Sequence, residues 1–242
     1  MSDQSLEQAL DDIERAADGA VRAAAANAQV VWLCSPNNPT GLAEPDGAIK
    51  ELLEGIAGDA AADGRAPAIV VLDEAYAEFD GTSLLSLRVD HPNLVVVRTA
   101  SKAYALAGLR VGFAVARPET IARIAPYRPP GSIATVSVTI VTAALRDPAP
   151  MRENLARVVG ERERLSAGLQ AAGWRVGPTV TNFLLVRFDD AAGAAEAAER
   201  LLRRGLVPRT FGAGHPLADS LRLTVRDRQE NDRLIDAARG AP

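Results

Sequence analysis

Of the 27 basic residues in this 242-residue chain, two are lysines, Lys50 and Lys102, and the other 25 are arginines. Arginine replaces lysine wherever only positive charge is needed. Its guanidinium stays protonated, however, and cannot provide a neutral amine for Schiff-base chemistry. A lysine kept against such a background marks a place where an amine is useful. Lys50 falls in a segment that reads as exposed helix. Lys102 lies between the hydroxyls of Thr99 and Ser101 and the guanidinium of Arg110, in Arg98-Thr-Ala-Ser-Lys-Ala-Tyr-Ala-Leu-Ala-Gly-Leu-Arg110. Two further polar groups follow apolar runs: Asn38, in Ser35-Pro-Asn-Asn-Pro-Thr-Gly41, and Asp73, in Leu72-Asp-Glu-Ala-Tyr76. Taken singly, each has an ordinary reading. Asn38 suits a turn, Asp73 a turn or helix cap, Tyr76 core packing and Arg110 a surface ion pair.

Their placement on the expected elements favours chemistry. Gln29–Cys34, Ala68–Leu72, Asn93–Val97 and Val111–Ala116 are short apolar runs that predict strands, the first buried on both faces. Asp46 is positioned to cap a helix that runs to Ala62, and Ser2–Ala25 has helical periodicity. Alternation of strands and helices predicts crossover units and a mostly parallel sheet. Open parallel sheets bind ligands beyond the carboxyl ends of their strands. Asn38, Asp73 and the Thr99–Ser101–Lys102 group all fall at those ends.

Beyond Pro118 the pattern changes. Ile133–Leu145 and Met151–Ala172 predict helices. They are followed by strands near Trp174–Val176, Asn182–Phe188, Leu206–Arg209 and Leu221–Val225, a helix over Ala191–Arg204 and a last helix from Gln229. The fold class expected is α/β, a mostly parallel sheet with flanking helices, joined to a smaller α+β domain. The division is placed at residues 1–150 and 151–242.

Composition narrows the function classes. With 48% hydrophobic and 24% charged residues the chain is that of a globular protein. A net charge of −4 gives no electrostatic case for nucleic acid or an anionic membrane as partner. No apolar run is long enough to cross a bilayer. The single cysteine, Cys34, excludes an internal disulfide and fits a reducing cytoplasm. Cys34 and His91 read as structural, His215 as a loop residue, and none has the spacing of a metal ligand.

The ordered motifs Ser35–Gly41, Leu72–Tyr76, Ser101-Lys-Ala-Tyr-Ala-Leu-Ala-Gly-Leu-Arg-Val-Gly112 and Ser220-Leu-Arg-Leu-Thr-Val225 resemble the fold-type-I, pyridoxal-phosphate-dependent aminotransferases, in particular the histidinol-phosphate aminotransferase branch. The resemblance runs from Gln29 to Leu234. It implies pyridoxal 5'-phosphate as cofactor, a small amino substrate (phosphorylated in that branch), a 2-oxo acid as co-substrate, and a homodimer. It further implies that Lys102 bonds covalently to the cofactor and then moves a proton, and that Asp73 pairs with the pyridine nitrogen. Asn38 and Tyr76 would bind the ring oxygen, and Thr99, Ser101 and Arg110 the cofactor phosphate. Arg222 would clamp the substrate carboxylate with two parallel hydrogen bonds.

Two departures qualify the resemblance. Relatives carry a much longer segment before the Asn-Pro-Thr-Gly motif, whereas 37 residues precede Asn38 here. The large domain is therefore expected to be incomplete, with an exposed sheet edge, as in a truncated, inactive fragment or one half of a split enzyme. Arg226 stands where the aminotransferase branch has glycine. That substitution resembles the threonine-phosphate decarboxylases of cobalamin biosynthesis, in which Arg226 and Arg209 would add positive charge for a phosphorylated amino acid.

Overall fold

The computed structural model describes residues 24–25, 28–45 and 47–240. The helix expected over Ser2–Ala25 and the cap expected from Asp46 lie outside these residues, apart from Ala24 and Ala25, which are helical.

Two four-stranded sheets organise the chain. In the first, β1 (Val30–Cys34), β2 (Ile69–Asp73) and β3 (Leu94–Thr99) run parallel, and β4 (Gly112–Val115) closes the sheet antiparallel to β3. Register sets Cys34 beside Asp73 and Asp73 beside Val97, so the carboxyl ends of the three parallel strands are neighbours. Helix α1 (Ala48–Ala62) starts after Gly47, whose backbone is left-handed at φ 93°, and no side chain among the described residues caps it. Ile49, Leu53 and Ile56 recur at helical spacing and bury one face of the sheet through Val70, Leu72, Leu94 and Val96. Burying a side chain of this size contributes roughly 1.5–3 kcal/mol. Lys50 is on the solvent side of α1, paired with Glu54.

The expectation that β1 is buried on both faces is corrected. Val31 and Leu33 pack toward α1, but Val30 is 56% and Trp32 64% exposed. A continuous apolar run cannot tell a central strand from an edge strand, and β1 lies at the edge of this sheet.

After β2 come the short helix α2 (Ala77–Asp80) and, past β4, the helices α3 (Pro118–Ile124) and α4 (Thr135–Arg146). The long helix α5 (Ala149–Ala171) leads into a second sheet of order β5–β6–β8–β7, antiparallel throughout. Its strands are β5 (Arg175–Val176), β6 (Phe183–Arg187), β7 (Arg209–Thr210) and β8 (Ser220–Thr224), with α6 (Ala191–Leu202) and α7 (Arg228–Ala238) packed on it. The strand expected over Leu206–Arg209 begins instead at Arg209, since Pro208 has no N–H to give a ladder. Asp190 and Asp227 cap α6 and α7, accepting from the N–H groups of Gly193 and Glu230.

The core of the second sheet also takes in Tyr76, Phe79 and Ala103 from the first half of the chain. Asn154 on α5 donates to the carbonyl of Ala103 at 2.9 Å, which pins the long helix to the residue after Lys102. Gly41 makes a close approach between the halves. The N–H of Val180 donates to its carbonyl at 2.9 Å, and a Cβ on Gly41 would meet Thr179 Oγ1 at 2.3 Å.

Candidate functional site

Each strand end delivers one polar group. Past β1, Asn38 stands in a loop whose Ser35–Pro36 and Asn38–Pro39 peptides are both cis. Asn37 braces that loop by accepting from the hydroxyl of Thr40 at 2.9 Å. Past β2, Asp73 accepts from the N–H of Ala75 through Oδ1 at 3.0 Å. No described residue donates to its Oδ2. Beyond β3, Thr99 Oγ1 donates to the Val111 carbonyl at 3.2 Å and accepts from the N–H of Ser101 at 3.0 Å, shaping the turn that presents Lys102.

The loop from Lys102 to Arg110 is strained. Ala105 and Arg110 have positive φ, at 56° and 54°, and among the described residues no other non-glycine does. Arg110 is exposed, with its guanidinium on the Ala107 carbonyl at 3.1 Å and no carboxylate partner among the described residues.

From Lys102 a sequence of contacts crosses to the second sheet. Lys102 Nζ lies 5.2 Å from the centroid of the Tyr76 ring. Tyr76 meets Phe183 edge-on at 5.4 Å, and the Arg222 guanidinium lies 5.1 Å from the Phe183 ring. Arg222 then donates to Asn38 Oδ1 at 2.5 Å. Four residues singled out from the sequence, Lys102, Tyr76, Arg222 and Asn38, are thus joined through Phe183. That residue was legible only as part of a strand, since nothing in a strand pattern says which inward aromatic backs a site.

Several groups in this assembly lack a protein partner. Tyr76 is 4% exposed, yet no described residue bonds its hydroxyl. Arg222 Nε is buried and unpaired. Arg209 is the direct cross-strand neighbour of Arg222, and like charges in that position repel. No described carboxylate neutralises either one. Both line a cavity of about 420 Å³ with Asn38, Pro39, Thr210, Phe211, Gly212 and His215, and no acidic residue contributes to its wall. His215, read from the sequence as a loop residue, is thereby brought to the site.

Arg226 is not brought there. Its guanidinium donates to Glu230 at 2.8 Å, and it lines a separate cavity with Gly205, Leu206, Val207, Pro208, Leu223, Thr224 and Leu234. The resemblance to the decarboxylases implied a place for Arg226 in the substrate site, but at the start of α7 it pairs with Glu230 instead. Cys34 donates to the Pro36 carbonyl at 3.4 Å, and burial pushes its thiol pKa up, as in an unreactive structural cysteine.

Beneath the Lys102 loop is a buried ionic group. Arg98 gives both Nε and Nη2 to one oxygen of Glu74, at 3.0 and 2.6 Å. Glu78 receives the remaining nitrogen at 3.2 Å, and its other oxygen is buried without a partner. Burial raises the Glu78 pKa despite Arg98, which lowers it less. Among the described residues no cluster could hold a metal ion, and no helix is long and apolar enough to cross a membrane.

Similarity to known proteins agrees with this arrangement. The family model described as aminotransferase class I and II matches residues 3–237. The histidinol-phosphate aminotransferase of Thermococcus gammatolerans is 40% identical over 218 residues, covering 90% of this chain and 57% of that protein. That of Xanthomonas euvesicatoria is 42% identical over 221 residues, covering 89% and 58%. Among solved structures, histidinol-phosphate aminotransferase from Sinorhizobium meliloti in complex with pyridoxal-5'-phosphate superposes with a TM-score of 0.79 at 29% identity, over 89% of this chain and 57% of that one. L-threonine-O-3-phosphate decarboxylase from Porphyromonas gingivalis superposes with a TM-score of 0.67 at 26% identity, over 86% and 63%. The chain spans just over half the length of these curated aminotransferases. It belongs to the class I and II aminotransferase family.

Proposed function

We propose that this chain forms the lysine-bearing part of a pyridoxal-phosphate-dependent aminotransferase of the histidinol-phosphate type, moving an amino group from a phosphorylated amine to a 2-oxo acid. The observation that carries the reading is the contact path from Lys102 through Tyr76 and Phe183 to Arg222. It links an amine suited to covalent attachment with a guanidinium suited to an anion, which supports a shared site for the two.

The unpartnered groups fit the cofactor. Bound pyridoxal phosphate supplies an electron sink for charge that develops at the substrate carbon. Asp73 Oδ2 is available to accept from the pyridine nitrogen, and Tyr76 has a free hydroxyl for the ring oxygen. Asn38 has its oxygen engaged by Arg222, which leaves Nδ2 as its donor toward the same ring oxygen. Ser101 and Arg110 would hold the phosphate, with Thr99 fixing the turn between them and the strand. Lys102 anchors the cofactor and afterwards carries the proton at the reacting carbon. Arg222 and Arg209 hold the substrate's anionic end, which would relieve their mutual repulsion.

The division into a cofactor-binding part up to residue 150 and a smaller part from 151 belongs to this reading, supported by one four-stranded sheet on each side of it. A homodimer belongs to it as well. Its support is the exposure of apolar side chains on two faces of α4, Val136 and Ile140 on one and Val138 and Leu145 on the other. A cytoplasmic setting agrees with the single free cysteine. The decarboxylase alternative drew on Arg209 and Arg226; Arg209 lines the cavity, but Glu230 engages Arg226 in another one, so transamination is favoured.

The test mixes the purified chain with pyridoxal phosphate and follows the visible absorption of the bound cofactor. A band that disappears in Lys102→Ala is the expected outcome, and its absence in the parent chain would identify an inactive fragment. With the band in hand, 2-oxo-acid-dependent turnover of histidinol phosphate is expected in preference to carbon dioxide release from threonine phosphate.

A further inference from the structure

The cavity shared by Arg209 and Arg222 contains a third group that the aminotransferase reading leaves unused. His215 lies in the loop between β7 and β8 and lines this cavity. Its ring is held in two ways. The N–H of Leu217 donates to Nδ1 at 3.0 Å, and the ring stacks on Phe211 with centroids 5.0 Å apart and planes 26° apart. Because Nδ1 is an acceptor in that bond, the ring proton belongs on Nε2. No described residue accepts from Nε2, so His215 offers a fixed, unpaired N–H donor. The loop that carries it is braced internally, with the His215 N–H donating to the Gly212 carbonyl and the Ala218 N–H to the His215 carbonyl, at 3.1 and 2.9 Å.

We infer that His215 donates through Nε2 to the oxyanion that Arg209 and Arg222 hold, as a specificity-determining contact of the substrate site. The inference rests on the proposed function for its substrate, but its geometry is that of an oxyanion site in its own right. A single bidentate arginine already matches the two oxygens of a carboxylate. Two arginines and an imidazole supply three separate donor groups, which suit an anion with three peripheral oxygens. The charge argues the same way. A phosphate monoester carries −1.5 to −2 at neutral pH and balances two guanidinium groups, whereas a carboxylate leaves one of them uncompensated. His215 therefore tilts the site toward a tetrahedral dianion.

Only two histidines are present, so the imidazole resonances of the chain are His91 and His215. The experiment titrates the chain with inorganic phosphate and, separately, with acetate, observing both imidazoles and the Phe211 ring by NMR. His215 and Phe211 are expected to shift saturably with phosphate and several-fold more weakly with acetate. Buried His91 should stay in place and report that the fold is intact. In His215→Ala, the Phe211 titration should show about tenfold weaker phosphate affinity, the value of one hydrogen bond to a charged group. His215→Gln, which restores an N–H donor, should recover most of it.

A His215 resonance indifferent to phosphate, or unchanged affinity in His215→Ala, overturns the inference. So does an equal preference for acetate and phosphate in parent and variant. The Lys102-dependent band with pyridoxal phosphate is recorded on the same samples. Its loss with the phosphate response intact would bring down the aminotransferase reading and leave the His215 contact standing. The reverse result would do the opposite.

Discussion

Arg222 illustrates how one residue can be constrained by both halves of the protein. Its Nη1 is bonded to Asn38, its face is on Phe183, and its Nε is buried without a partner. A buried unpaired donor costs about 1–3 kcal/mol, which a ligand oxygen would recover. Arg222→Lys keeps the charge but loses the fork. We expect the Lys102-dependent band to survive, while the affinity for a phosphorylated amino substrate falls about tenfold, as for one charge-assisted hydrogen bond. Substrate titration monitored at the band measures it, and an unchanged affinity would remove Arg222 from the substrate site. At this scale the strand-end groups of the candidate site were legible. Lys102, Asp73, Asn38 and Tyr76 fall where strands end, and strand ends can be read from apolar runs. His215 and Phe183 were not legible, because neither residue type nor spacing records which residues share a cavity.

At the scale of elements, the turn after β2 and the strand β3 are tied by Arg98 between Glu74 and Glu78. Glu74 takes two of the three guanidinium contacts, and Glu78 is left with burial and one bond. Its raised pKa means that the folded state holds a proton the unfolded chain has released. Stability from this proton is fully present below the ordinary glutamate range, and it is lost as pH rises through the raised value. Glu78→Gln is neutral at every pH and keeps an acceptor for Arg98. Urea denaturation between pH 4 and 8 is expected to show the parent losing stability relative to Glu78→Gln as pH rises through this window. Parallel curves would contradict it.

Over the whole molecule, the site depends on how the two sheets meet. Gly41 is a tight point of that seam, with φ 83° and Thr179 against the place a Cβ would occupy. Thr179 Oγ1 in turn donates to the Phe183 carbonyl at 3.0 Å, so a displaced Thr179 disturbs the aromatic that backs Arg222. Gly41→Ala is expected to lower unfolding free energy by about 1–2 kcal/mol from the backbone alone, and by more through the clash. Adding Thr179→Ala should return the clash part and leave the backbone part. Equilibrium unfolding of the single and double variants separates the two, and a neutral Gly41→Ala would mean that the sheets do not meet there.

The sequence by itself determined the α/β class, the approximate place of most elements and the identity of the strand-end groups. All of these follow from local periodicity, turn chemistry and an amine that arginine cannot replace. Only the tertiary structure decided that Arg226 turns away to Glu230 while His215 turns in, that β1 is half exposed, and that Arg222 reaches Asn38 across 184 positions of chain. Those outcomes depend on contacts between distant segments. A pattern within one segment cannot encode which face of a strand is covered, or which loop closes over a cavity.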